Sequence, residues 1–257
     1  MEQKNALVTG AGRGIGRAIA LELGRKGYAV GVNYLHSKSG AQAVCDEITA
    51  RGGKAVPLQA DVGKNAELSA MFEAFFEAFG SIDLMVNNAG LSKFYPFLEV
   101  TEEQWTELTF SDWKGAFFGT QYAARNMVEH SKQGVIINIS SNHVDGCWPQ
   151  ANIYGPTKAA LTKFGKSAAM ELAPYGIRVI TVAPGYTDVD WPKDHPVQLA
   201  KPRIPLKRFA EPQEIAKIVA FLASDACSYM TGNCVTIDGG APLPILPEND
   251  YYGVTKP

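Results

Sequence analysis

The stretch that most limits how this chain can fold lies near its start. Ala6-Leu7-Val8 is a short apolar run, Thr9-Gly10-Ala11-Gly12-Arg13-Gly14-Ile15-Gly16 follows at once, and Ala18-Ile19-Ala20-Leu21-Glu22-Leu23 has helical character. Strand, glycine turn and helix in immediate succession leave few topologies open. Glycine permits positive φ and lets the backbone approach an anion, and the first amides of a helix carry partial positive charge. A glycine-rich turn alone is a common feature; the strand before it and the helix after it point to a dinucleotide.

The alternation continues along the chain. Residues 28–34 read as a second strand, and a helix through Ala41, Val44 and Ile48 stops at Gly52-Gly53. Residues 55–60 read as a third strand closing on Asp61-Val62, where an adenine edge can be met. Leu68, Met71, Phe72, Phe75, Phe76 and Phe79 recur at helical spacing, a stripe that belongs to a core. Residues 82–86 form a fourth buried strand ending in Asn87-Asn88-Ala89-Gly90, where asparagines can lock neighbouring strands and the small residues leave room for a ribose. The pattern predicts an α/β fold, a doubly wound parallel sheet of Rossmann-like type with helices on both faces and ligands at the strands' C-terminal ends. No linker, repeat or low-complexity segment divides the chain, so residues 1–257 are expected to form a single dinucleotide-binding domain.

A hydrophobic share of 46% with 19% charged residues suits a globular enzyme of this length. The net charge of −2, with Lys and Arg spread along the chain, offers nothing to nucleic acid or an anionic membrane. No apolar run approaches the roughly 20 residues needed to span a bilayer. The N-terminus runs straight into a strand without a signal-peptide pattern, which makes the cytoplasm the expected location. Cys45, Cys147, Cys227 and Cys234 lack metal or redox spacing and read as reduced thiols in packed positions.

The end of the second strand bears on which dinucleotide binds. A carboxylate there pairs with the free 2′-hydroxyl of NAD, whereas basic or hydroxyl-rich surroundings accept the 2′-phosphate of NADP. No acid lies between Ala29 and Gln42, while Asn33, Ser37, Lys38 and Arg13 are available, which favours NADP and keeps NAD as the alternative. The competing account of Lys38 is that it opens a solvated helix.

The chemistry-bearing stretch is Asn138 to Lys158. An apolar strand, residues 134–139, ends on Ser140-Ser141, and Tyr154 and Lys158 lie four apart on one face of a following helix. A free Tyr has a pKa of about 10, too high for an efficient base near neutrality, and a neighbouring ammonium favours the phenolate. Pro156 is tolerated only in a helix's first turn, so Tyr154 stands at the helix entrance, where it can face a cleft. The alternative is a surface helix carrying an ordinary Tyr/Lys pair.

With these segments assembled, the chain resembles the short-chain dehydrogenase/reductase family over residues 5–240. The resemblance rests on Thr9-Gly10-x-x-x-Gly14-x-Gly16, Asn87-Asn88-Ala89-Gly90, Ser141, Tyr154-x-x-x-Lys158 and Pro184-Gly185. Val32-Asn33-Tyr34, Thr231-Gly232 and Asp238-Gly239-Gly240 also resemble the branch that contains bacterial glucose dehydrogenases. The resemblance implies that Tyr154 exchanges a proton with the substrate oxygen, that Ser141 orients that oxygen, and that Lys158 holds the nicotinamide ribose and favours the phenolate. It implies that Gly10, Arg13, Gly14, Ile15, Gly16, Asp61, Val62, Asn88, Ala89, Gly90, Tyr154 and Lys158 line the cofactor, with Pro184, Gly185 and Thr187 near the nicotinamide.

Three positions depart from the family's pattern. Asp112 fills the slot of an asparagine that belongs to a proton relay; ionised beside Lys158 it would offset the lysine's field, and holding only a water it would change little. Ile180 replaces an asparagine of the sixth strand, and Val189 replaces a threonine, with Thr187 two residues early.

Residues 186–208, rich in proline and charge, are expected to form a substrate lid rather than a long helix. Asn142, His143, Trp148, Gln150, Tyr186 and Trp191 are expected to face the substrate, and a polar wall with an indole suits a hydroxylated compound. Asp145 belongs to the same wall. His143 and His195 lack the spacing of metal ligands, so no metal is expected. The family's habits imply a homo-oligomer, tetramer or dimer, and the tail 241–257, with Tyr251-Tyr252, either covers a neighbour's site or is loose. The expected activity is NADP(H)-dependent hydride transfer to or from a small carbonyl or secondary alcohol. The alternatives are an NAD-dependent sugar or polyol dehydrogenase and a catalytically weak dinucleotide-binding sensor.

Overall fold

The computed structural model describes residues 3–243. In chain order its main elements are β1 (Asn5–Val8), α1 (Gly14–Arg25), β2 (Ala29–Tyr34), α2 (Lys38–Ala50), β3 (Ala55–Gln59), α3 (Asn65–Phe79), β4 (Leu84–Asn87), α4 (Glu102–Thr109), α5 (Gly115–Glu129), β5 (Val135–Ile139), α6 (Tyr154–Leu172), β6 (Arg178–Pro184), α7 (Pro212–Ala223) and β7 (Cys234–Ile237). The strands form one parallel sheet in the order β3-β2-β1-β4-β5-β6-β7. The winding reverses between β1 and β4, where Val8 is in register with both Val32 and Val86, and a crevice opens beyond their C-terminal ends.

Strand periodicity sorts the apolar side chains into two cores. Ala6, Val8, Val30, Val32, Val86, Ile137 and Val182 face one layer, packed by α1, α2 and α7. Leu7, Met85, Ile136 and Val179 point the other way, against Leu68, Met71, Phe72 and Phe75 of α3 and Met127 of α5. The central strands are buried on both faces, which is why they read as continuous apolar runs. The aromatic stripe of α3 is core as expected, with Phe76 and Phe79 at its half-buried margin. Ile180 lies fully buried in β6, where an apolar residue needs no partner.

The segment between β4 and β5 has no counterpart in the sequence reading. Thr101 and Gln104 form a capping box that starts α4. A π-helical turn, Phe110–Lys114, then joins α4 to α5 without a break. Residues 186–208 hold one 3₁₀ stretch, Pro196–Arg203. The tail beyond residue 243, including Tyr251 and Tyr252, lies outside the described residues. Cys45 and Cys227 are buried, but Cys147 is exposed, because its loop lies outside both cores. Among the described residues no helix is long and apolar enough to cross a membrane.

Candidate active site

The cofactor end of the crevice is tied together by side chains that cap strand ends. The Thr9 hydroxyl accepts hydrogen bonds from the Asn88 and Ala89 amides, both at 2.9 Å, and Asn88 Nδ2 donates back to the Thr9 carbonyl at 2.8 Å. Deeper in the sheet Asn87 Nδ2 donates to Asn138 Oδ1 at 2.8 Å and to the Thr120 hydroxyl at 3.0 Å. The asparagines thus lock β1 to β4 and β4 to β5. Asn33 is spent in the same way: Oδ1 accepts from the Gly10 amide at 3.0 Å, and Nδ2 donates to the Leu58 and Ala60 carbonyls. This corrects its expected place near the ribose, since the residue is buried and its amide holds the glycine turn to β2 and β3.

The turn itself suits a diphosphate. Gly10 and Gly14 have φ of +62° and +54°, and Arg13, the residue before α1, gives no side-chain cap to the helix's first amides. Space above Gly14 is bounded by the Val189 side chain, so an apolar group stands where the family's pattern has a threonine. The Ser37 hydroxyl packs against Gly12, next to Arg13, and both Arg13 and Lys38 are exposed, Lys38 as the first residue of α2. Asp61 turns the chain after β3, its Oδ1 accepting from the Gly63 amide at 2.9 Å, and Val62 is buried against Gly115. Ile15 and Ala89 are half-buried beside this turn.

At the other end of the crevice, β5 delivers two serines with opposite fates. Ser140 Oγ donates to the Lys158 carbonyl at 3.0 Å and shares a 2.8 Å hydrogen bond with the Thr162 hydroxyl, so it fastens β5 to α6. Ser141 is extended, at φ −161°, and among the described residues its Oγ has only a long 3.4 Å contact from the His143 amide. That hydroxyl retains its capacity for another partner. Tyr154 is the first residue of α6, with Pro156 in the opening turn as expected. The Lys158 ammonium lies 5.6 Å from the Tyr154 ring centroid and donates to the Ile139 carbonyl at 3.1 Å.

Asp112 sits in the π-helical turn and is 1% exposed. Its Oδ1 accepts from the Leu91 amide at 2.6 Å, and its Oδ2 lies 3.1 Å from the Lys158 ammonium. Burial pushes the Asp112 carboxyl above the ordinary carboxylate range, against the pull of Lys158 and the Leu91 amide. Burial also works against the Lys158 ammonium, but the facing Asp112 carboxylate, with Tyr154, outweighs it and holds the lysine's pKa above its ordinary value.

Aromatic rings enclose Tyr154. His143 meets it edge-on at 5.0 Å and Phe94 at 5.6 Å, while Trp148 stacks on His143 at 4.0 Å. Trp148 Nε1 donates to the Tyr186 hydroxyl at 3.0 Å, and Tyr186 stacks on Phe209, so the loop after Ser141 is bonded to the loop after Gly185. Burial pulls His143 down to about 4, which keeps its imidazole neutral near pH 7. Asn142 is buried, with Nδ2 3.4 Å from Asp238 Oδ2 beside Gly185.

Three expected contacts are directed elsewhere. The Thr187 hydroxyl donates to the Gly185 carbonyl at 3.1 Å, closing its own loop. Trp191 Nε1 donates to the Thr187 carbonyl and its ring packs on His195. Gln150 is exposed in a turn at φ +64° and engages Tyr95 through its backbone carbonyl. Phe94 and Phe209 were missed by the sequence reading, and Asp238 was read there only as part of a family motif. Phe94-Tyr95, directly after Asn87-Asn88-Ala89-Gly90, was the available signal. Among the described residues no cluster of three or more His, Cys, Asp or Glu is placed to hold a metal ion.

Comparison with known proteins agrees with this geometry. A family model described as enoyl-(acyl carrier protein) reductase matches residues 10–242. The chain is 43% identical over 242 residues to a 3-oxoacyl-[acyl-carrier-protein] reductase of Staphylococcus epidermidis, covering 92% of this chain and 98% of that protein. It is 39% identical to an L-rhamnose 1-dehydrogenase (NAD(P)(+)) of Azotobacter vinelandii, covering 92% and 96%. The crystal structure of an acetoin dehydrogenase from Enterobacter cloacae superposes with a TM-score of 0.88 at 35% identity, covering 100% of this chain and 99% of that one. The chain belongs to the short-chain dehydrogenase/reductase family and is an NAD(P)(H)-dependent oxidoreductase with a Ser-Tyr-Lys site.

Proposed function

We propose that the protein is an NADP(H)-preferring reductase and dehydrogenase of a free, small carbonyl or secondary alcohol with an apolar flank. The observation that carries this reading is the convergence of Tyr154, Lys158 and Ser141 beneath an aromatic wall. Tyr154 gives its phenolic proton to the carbonyl oxygen in reduction and takes it back in oxidation, Ser141 orients that oxygen, and Lys158 favours the phenolate. The dinucleotide, when bound, supplies or accepts the hydride. Gly10, Arg13, Gly14, Ile15, Gly16, Asp61, Val62, Asn88, Ala89, Pro184 and Gly185 hold it. The chain acts as one dinucleotide-binding unit, with residues 186–208 as its lid.

The composition of the wall supports one substrate class over another. The indole of Trp148 has one face on His143 and its only N–H on Tyr186, leaving little hydrogen-bonding capacity for a polyhydroxylated ring. A hydroxyketone or short 3-oxo compound fits this surface better than a sugar. The relatives above support a place near the 3-oxoacyl reductases and acetoin dehydrogenases instead of the glucose dehydrogenases. NADP is favoured by Arg13, Ser37 and Lys38 around the end of β2, where no carboxylate stands.

Stopped assays of nicotinamide absorbance with hydroxyketones, 3-oxoacyl thioesters and aldoses, each with NADPH and NADH, test the reading. Turnover is expected with small carbonyls and NADPH. Arg13→Ala/Lys38→Ala is expected to raise the NADPH dissociation constant by about tenfold more than that for NADH. Tighter NADH binding by the wild type overturns the NADP preference, and tight cofactor binding without turnover of any carbonyl or polyol favours a sensor.

The outer faces of α5 and α6 leave an apolar groove of about 600 Å³ lined by Phe117, Ala124, Val128, Phe164, Leu172 and Tyr175. A second copy of the chain is its proposed occupant, which makes the protein a homo-oligomer. Sedimentation should show a dimer or larger assembly that Phe117→Glu/Val128→Glu reduces; a monomeric wild type at every concentration ends the proposal.

A further inference from the structure

We propose that Asp112 is the fixed counter-ion of Lys158 and, through it, sets the pH at which Tyr154 yields its proton. This rests on the reading of Tyr154 as the acid-base group, and it makes Asp112 a positioning residue, since it acts through the lysine.

Four observations carry it. Asp112 Oδ2 and Lys158 Nζ are 3.1 Å apart with both side chains almost fully buried, so solvent screens the pair little. Among the described residues Oδ2 makes no hydrogen bond of regular geometry, so the ammonium is its partner by charge. The other oxygen is fixed by the Leu91 amide at 2.6 Å, which holds the carboxylate in one orientation. Gly90 completes the seat: a Cβ there would come 2.8 Å from Oδ2, so a larger residue would displace the carboxylate.

The charges around the pair are few and identifiable. From α6 it faces Tyr154; from the loop after β5, His143 packs on Tyr154 and is neutral near pH 7. From β5 it meets the Ile139 carbonyl, and from the loop after β4 the Leu91 amide. Lys114, on Asp112's own turn, is directed to the Gly63 carbonyl and the Phe110 ring. An ammonium alone would favour the phenolate strongly; with a carboxylate in contact, the pair is close to neutral and favours it less. The same carboxylate keeps Lys158 protonated to higher pH. The protein therefore works in a more alkaline window than the lysine alone would give it.

The test begins without any substrate. Near-ultraviolet titration of phenolate absorbance, taken as wild type minus Tyr154→Phe, isolates the Tyr154 transition; the same difference is measured in an Asp112→Asn background. The transition is expected to fall by about one pH unit or more in that background. With a substrate in hand, both limbs of the pH–rate profile should move down, the acid limb because the phenolate forms earlier and the alkaline limb because an unpaired Lys158 deprotonates earlier. Coincident transitions would mean that Asp112 only holds the Leu91 amide, and would overturn the proposal. Because the titration needs no turnover, it can fail while the assignment of activity stands, and the reverse.

Thermal unfolding provides a second measurement should Asp112→Asn prove unstable. Lys158→Met strands a buried carboxylate and should lower Tm; Lys158→Met/Asp112→Asn should recover part of that loss. A double variant no more stable than Lys158→Met would count against an ionic pair.

Discussion

Replacing Tyr154 by Phe is expected to reduce kcat by about 10²–10⁴-fold, the range that a positioned acid-base group contributes, with little change in dinucleotide affinity. The substitution removes one oxygen and keeps the ring, so the edge contacts with His143 and Phe94 survive. It also keeps the first turn of α6 and the hydrogen bond from Lys158 to Ile139. The loss should appear in kcat rather than KM, because the proton moves only in the chemical step. Fluorescence titration with the reduced cofactor and single-turnover rates separate the two effects. A Tyr154→Phe protein with more than about a tenth of wild-type turnover would be incompatible with a contribution of this size and would require another acid.

The second large effect is expected at Gly16, and there the ordinary helix rule reverses. Alanine is favoured over glycine inside a helix by about 0.8–1.0 kcal/mol, so Gly16→Ala on a free helix would stabilise. Here an added Cβ runs into the Gly10 carbonyl and comes 2.5 Å from Asn88 Nδ2. Neither can withdraw easily: Gly10 is held by Asn33, and Asn88 Nδ2 by the Thr9 carbonyl. Overpacking of a rigid contact costs about 1–3 kcal/mol, which for a chain of this size lowers Tm by roughly 2–12 °C. The displaced turn should also weaken dinucleotide binding by about tenfold, or ~1.4 kcal/mol. Calorimetry and cofactor titration check both, and a variant as stable and as tightly binding as wild type would show that the turn is softer than its hydrogen bonds imply.

Some of this was legible from residue order because it depends on local periodicity. Tyr154 and Lys158 share a face through the helical repeat, and the apolar runs of β4 and β5 announce a buried parallel sheet. Ser140-Ser141 placed a hydroxyl at a strand's end, while the choice of Ser141 between them came from the family's motif and not from the alternation. What was not legible depends on contacts between distant segments. Asn33 reads equally well as a ligand or a scaffold residue, and only the approach of Gly10, Leu58 and Ala60 makes it scaffold. Trp148 looks available until Tyr186 takes its N–H and His143 covers its face. Asp112 offered two accounts, a water-holder or a direct counter-charge, and the difference is an orientation set by backbone geometry.

That geometry is the wide turn at Phe110–Lys114. A regular helix advances about 100° per residue, so one extra residue looped into a turn rotates everything downstream relative to everything upstream. The turn therefore acts as a phase adjuster between α4 and α5: it lets each helix present its own apolar side to the protein while Asp112, at the midpoint, is aimed inward. Exchanging a residue there alters one side chain, but losing one would turn α5 out of step with the sheet and swing the carboxylate away from the lysine. Length, more than composition, is what this short stretch has to keep.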